Sequence, residues 1–181
     1  MNAAPLPSCD FCLIRHGETT ANAEGFIAGV TDVALTRMGR AQARALSDRE
    51  WPARIAIYAS PMSRAQDTAR LAFPDRHIEV HEGLRERDWG VFEGRPLTQQ
   101  PPREATPDQG ESWTDMLTRV QSAILEICAV SQGQLPVLVC HSGIIRAARV
   151  LWTTGDAGQR PPNATALLFQ HTGNTLMEKR L

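Results

Sequence analysis

Short, continuously apolar runs alternate along this chain with longer stretches whose apolar residues recur every three or four positions. That is the pattern of strands buried on both faces, each followed by a helix that packs over them. Residues 10–15 alternate too little for a half-exposed strand and read as a buried one ending at the Arg15-His16-Gly17 turn. Thr36 is a good N-cap for a helix to about residue 48, with Ala41, Ala45 and Leu46 expected toward the core. Residues 54–60 predict a second short buried strand that Pro61 stops, and a helix over 63–72 follows, ended by Pro74. Residues 77–81 resemble a third strand. Ser112 and Asp115 make a weakened capping box for a helix to about Val130, with Met116, Val120, Ile124 and Ile127 on one apolar face. Residues 136–140 are the strongest buried strand and deliver His141 at its end; a helix over 143–152 comes next. The runs 165–170 and 175–179 predict a closing hairpin.

Strands alternating with helices imply an α/β fold, a three-layer α/β/α sandwich around a mostly parallel sheet. No repeat or long linker divides the 181 residues, so a single domain over 1–181 is expected. Residues 95–110 stand apart, with Pro96, Pro101, Pro102 and Pro107 among polar neighbours. They read as a short surface insertion over the site, without a core of its own.

Composition narrows the function. Hydrophobic residues are 42% and charged residues 22% of the chain, a globular balance, and the formal net charge is -1. No global field is available for nucleic acid or an anionic membrane, so any anion site must be a local cluster. Apolar runs such as 137–140 are strand-sized and too short to span a bilayer. Residues 1–8 carry neither a basic nor an apolar leader segment, so no secretory signal is expected. Cys9 and Cys12 have the spacing of a redox or zinc half-site, but Cys128 and Cys140 supply no matching pair. The cysteines read instead as small buried hydrophobes in a reducing cytoplasm. Oligomeric state is not legible, although Trp89, Trp113 and Trp152 are candidates for an apolar patch.

The strand ends carry the chemistry. Arg15 and His16 follow the first strand, residues 60–64 with Arg64 follow the second, and His141 and Ser142 follow the late one. Ligands bind at the carboxyl ends of parallel strands, so these groups are expected to converge on one pocket. Two forked guanidinium donors, two histidines and free N–H groups at helix starts suit a phosphoryl dianion. Each histidine alone reads more readily as a structural hydrogen-bonder; the combination shifts the balance.

Residues 13–22, Leu-Ile-Arg-His-Gly-Glu-Thr-Thr-Ala-Asn, resemble the signature of the histidine phosphatase superfamily, in which phosphatases are grouped with phosphoglycerate mutases. The resemblance recurs in order over nearly the whole chain: at 29–36 with Gly39, at 59–69 around Arg64, at 84–94 around Glu86, and at 137–143 around His141. It implies a phosphoglycerate mutase-like fold and a small phosphorylated substrate, with neither metal nor cofactor. His16 would attack phosphorus, with its ring kept neutral by Arg15 and Arg64 nearby. Arg15, Arg64 and His141 would clamp the phosphoryl oxygens, aided by Asn22, Gly29 and the N–H of Ser142, a position where many relatives have glycine. Glu86 would protonate the leaving oxygen and then activate water. Glu18 and Glu93 are rival carboxylates that read better as turn partners, and Glu111 as a charge at a helix start.

The resemblance favours a phosphatase over a mutase. The 95–110 segment is short, its basic residues are Arg95 and Arg103, Leu97 stands near where mutases carry a lysine, and the chain ends soon after its last strand. A phosphohistidine-protein phosphatase is disfavoured by the presence of the Glu86 segment. A non-catalytic phosphate-binding module is disfavoured because His16, Arg64, Glu86 and His141 are all present. The 95–110 segment is expected to decide the substrate.

Overall fold

A computed structural model describes residues 4–181. Of the stretch read above for a leader, residues 1–3 lie outside the described residues. The chain forms β1 (Phe11–Arg15), α1 (Thr20–Glu24), α2 (Arg37–Ala45), β2 (Ile55–Ala59), α3 (Ser63–Ala72), β3 (Ile78–Val80), α4 (Trp113–Val130), β4 (Leu135–Cys140), α5 (Ser142–Trp152), β5 (Ala166–Thr172) and β6 (Thr175–Arg180). The six strands make one sheet in the order β3-β2-β4-β1-β5-β6. β3, β2, β4 and β1 pair in parallel, while β5 and β6 close the far edge antiparallel. It is the α/β fold with a mostly parallel sheet that the alternating pattern predicts.

Side chains of successive strand residues point to opposite faces, and in the central strands both faces are covered. Phe11, Leu13, Leu138 and Cys140 pack under α4 and α5 with Met116, Val120, Ile124, Ile144 and Ala148. Cys12, Ile14, Ile57, Ala59, Val137 and Val139 pack against α3 with Ala65, Ala69 and Phe73, and against Leu46 beyond α2. This two-sided burial explains why residues 11–14 and 137–140 read as uninterrupted apolar runs. The cysteines are free, and burial pushes the Cys12 thiol up to about 12 and raises those of Cys128 and Cys140.

Two local expectations need correction. Helix α2 does start at the Thr36 cap, whose hydroxyl accepts from the Gly39 N–H, but it ends at Ala45 rather than near residue 48. It also buries Gly39, Ala43 and Leu46, leaving Ala41 and Ala45 exposed. The rotation follows from a backbone-on-backbone approach: a β-carbon on Gly39 would collide with the Glu18 main chain. Trp152 belongs to no surface patch. It is buried edge-on against Phe11, centroids 6.0 Å apart, and its indole N–H donates to Pro5 O at 2.9 Å.

Candidate active site

β1, β2 and β4 run parallel, so their carboxyl ends meet at one edge of the sheet. His16 N–H donates to Cys140 O and Ser60 N–H to Val139 O, which extends the ladder just far enough to fix the residues beyond it. Arg15, His16, Asn22, Arg64, Glu86 and Ser142 line one open cleft of about 700 Å³, mouth included.

His16 is only 5% exposed. Its Nδ1 lies 2.7 Å from Gly17 O, so it carries the proton and donates, leaving Nε2 with a free lone pair. Burial, then the charges of Arg64 and Arg15, hold its pKa well below the usual histidine value. His141 stands beside it, ring centroids 5.2 Å apart, fully buried and also held neutral, first by burial and then by Arg64. Ser60 Oγ accepts the Met62 N–H and lies 2.7 Å from His141 Nε2. A Ser60 hydroxyl that donates to Nε2 places the ring proton on Nδ1, an atom with no partner among the described residues.

Arg15 repeats the theme. Its Nη1 donates to Pro161 O at 2.7 Å, while its buried Nε has no acceptor among the described residues. Burial, with Arg160 and Arg64 nearby, draws its pKa down to about 10, still charged at neutral pH. Arg64, at the first turn of α3, is 1% exposed and donates to Thr31 O at 2.9 Å and Gly29 O at 2.6 Å. Those carbonyls are held in turn by Glu93, which accepts the N–H groups of Gly29, Val30, Thr31 and Trp89 and the Thr31 hydroxyl. Gly29 is thus a brace behind Arg64, its N–H spent on Glu93; it is not among the cleft-lining residues, contrary to expectation. Asn22 Oδ1 accepts from the Thr19 N–H and from Asn163 Nδ2, which leaves its own amide N–H groups for the cleft.

The Glu86 carboxylate sits at the N-terminus of α5. One oxygen accepts the Gly143 N–H at 3.0 Å and the other the Arg87 N–H at 2.9 Å. The rival carboxylates are occupied elsewhere. Glu18 accepts from the Thr36 hydroxyl at 2.7 Å, Glu93 organises its loop, and Glu111 pairs with Arg119 at 2.6 Å.

Several further residues complete the site. Asn163 donates to His16 O as well as to Asn22, bracing both from behind. Arg87, 1% exposed, donates to Glu111 O, Arg103 O and Ala105 O and so ties the 95–110 segment to the Glu86 strip. Arg146 on α5 and Arg160 in the loop before β5 line the cleft beside Arg103 and Leu97. The far wall is therefore built from three segments rather than from 95–110 alone. Arg87 falls within the 84–94 stretch and Arg103 within 95–110, while Arg146, Arg160 and Asn163 carry no motif signal in the sequence.

Residues 11–173 match the model of the histidine phosphatase superfamily (branch 1). A metal-independent phosphoserine phosphatase of Arabidopsis thaliana is 30% identical over 178 residues, covering 86% of this chain and 74% of that relative. A probable phosphoglycerate mutase of Enterobacter sp. (strain 638) is 35% identical over 145 residues, 71% of this chain and 67% of that relative. Among solved structures, the TTHB049 protein of Thermus thermophilus superimposes with a TM-score of 0.76 at 30% identity, covering 95% of this chain and 98% of that one.

Proposed function

We propose that this chain, which belongs to the histidine phosphatase superfamily, is a phosphomonoester phosphatase that works through a phosphohistidine on a small phosphorylated metabolite. The observation that carries the reading is a pair of buried nitrogens without a partner among the described residues, Arg15 Nε and His141 Nδ1, beside a histidine whose free ring nitrogen is Nε2. An unsatisfied buried donor costs about 1–3 kcal/mol, and a phosphoryl oxygen would satisfy each of these.

In the first step His16 Nε2 attacks phosphorus, the ester P–O bond breaks, and Glu86 gives its proton to the leaving oxygen. Arg15, Arg64 and His141, with Asn22 and the Ser142 N–H, hold the three equatorial oxygens as charge builds on them. In the second step water passes a proton to Glu86 and attacks phosphorus. The N–P bond breaks, and neutral His16 and inorganic phosphate are released. No metal or cofactor takes part, in keeping with the name of the Arabidopsis relative.

The test is turnover of an aryl phosphate by purified protein in the presence of a chelator, with trapping of an acid-labile phosphoenzyme. His16→Ala is expected to abolish both. A phosphoenzyme that survives this substitution, or activity lost to the chelator, would overturn the reading. Rapid interconversion of the two monophosphoglycerates in a coupled assay, outpacing hydrolysis, would make the chain a mutase instead.

A further inference from the structure

We propose that Arg103, Arg146 and Arg160 form a second anion subsite, which selects substrates carrying a carboxylate or a further phosphate distal to the transferred phosphoryl group. The inference rests on the phosphatase reading of the same cleft. All three line that cleft with Arg15, His16 and Arg64, yet they belong to different elements: the 95–110 segment, α5, and the loop before β5. Arg15 and Arg64 are buried at the bottom, whereas Arg103 and Arg146 are half-buried and Arg160 is exposed. The trio thus forms the outer wall, on the side a substrate's far end must occupy.

The other arginines around this wall are neutralised or saturated. Arg149, three residues along α5 from Arg146, makes a bidentate pair with Glu178. Arg119 pairs with Glu111 in the same way, and Arg87 spends its guanidinium on three carbonyls. Arg103, Arg146 and Arg160 have no ion pair among the described residues. Arg103 lies over the Trp113 ring at 5.0 Å, and Arg160 reaches Gln100 only at 3.5 Å. Arg146 Nε is buried with no partner among the described residues. Glu86, the carboxylate within the cleft, is engaged by two backbone N–H groups.

Glu104, Glu86 and Asp156 act on Arg103 without ion-pairing it, so the like charges are offset only in part, and the cost is visible. Burial and the charges of Arg103, Arg160 and Arg149 push Arg146 down to about 10. An anion bound among the three relieves the repulsion and fills the empty Nε site, and forked guanidinium groups suit a carboxylate or phosphate equally. A neutral far end would leave the repulsion in place.

The experiment measures equilibrium binding of three non-hydrolysable probes to the wild-type chain: propylphosphonate, phosphonopropionate and trimethylene bisphosphonate. The doubly anionic probes are expected to bind about tenfold tighter than propylphosphonate, a factor worth about 1.4 kcal/mol. Whichever of the two binds better identifies carboxylate or phosphate as the second group. Arg146→Met and Arg160→Gln are each expected to bring the preference below threefold, with folding checked by thermal melts. Equal affinity for all three probes, or a preference unchanged in both variants, would overturn the subsite. A chain that shows the preference yet turns over no aryl phosphate would sink the phosphatase reading and leave the subsite standing.

Discussion

Glycine at 143 decides where the Glu86 carboxylate can stand. A β-carbon added there would lie 2.8 Å from Met116 Cε and 3.0 Å from Glu86 Cδ, and closer still to Glu86 Oε1. Carbon atoms settle at about 3.5–4.0 Å, so Gly143→Ala must drive the carboxylate away by roughly 1 Å. Two effects compete. Gly143 is the second residue of α5, where alanine gains less than the about 1 kcal/mol of a helix interior, and both crowded neighbours are the movable ends of side chains, so the fold tolerates the change. The Gly143 N–H to Glu86 bond is lost, and a group misplaced by about 1 Å forfeits on the order of a hundredfold in rate. Steady-state turnover should therefore fall about a hundredfold while the melting temperature stays within a few degrees. Leaving-group chemistry sharpens the prediction. A nitrophenolate departs without a proton, so an aryl phosphate should still load His16 and give a burst of one nitrophenolate per enzyme before slow hydrolysis. An alkyl phosphate needs the proton and should show no burst. Turnover within threefold of wild type would refute the role of Glu86, and loss of the aryl burst would show that Gly143 serves phosphate capture instead.

Two further outcomes follow from the geometry. His16 and His141 are held neutral in the folded chain, whereas in the unfolded chain they protonate near pH 6.5. Below that pH the unfolded state binds more protons, so stability should fall as pH drops from 6.5 toward 5, by up to about 1.4 kcal/mol per unit for each histidine. Melts in anion-free buffer should show this slope, and His141→Asn should reduce it; a flat profile would refute the assignment. Glu93→Gln sets an amide N–H₂ against N–H donors at residues 29–31 and loosens the carbonyls that seat Arg64. About tenfold of kcat/KM should go, chiefly through KM, the equivalent of one charge-assisted hydrogen bond. Faster amide exchange at 29–31 should accompany it, and unchanged KM would show that Arg64 needs no such brace.

The fold was legible wherever its causes were local. Helix α3 spans Ser63–Ala72, as its stop signals predict, and Ser112 caps α4 because a serine oxygen three residues before an N–H needs no distant help. Continuous burial at 11–14 and 137–140 told of a sheet covered on both sides. The face of α2 was not legible, because it depends on Gly39 lying against the Glu18 backbone, an approach between segments separated in sequence.

The site divides along the same line. Arg15, His16, Arg64 and His141 stand at strand ends or the first turn of the helix beyond, so topology alone brings them together. What surrounds them depends on partners far along the chain. Arg146 and Arg149 are the same residue type on one helix, three positions apart. Glu178, 29 residues beyond Arg149, pairs with that one and leaves Arg146 facing the cleft. Only the packing of β6 against α5 assigns one arginine to structure and the other to the ligand. The nucleophile's surroundings are therefore written in short motifs, while selection at the far end of the substrate arises from which distant carboxylates fail to arrive. That is why the 95–110 segment, read in isolation, holds too little positive charge to grip a second anion, and why the assembled cleft holds enough.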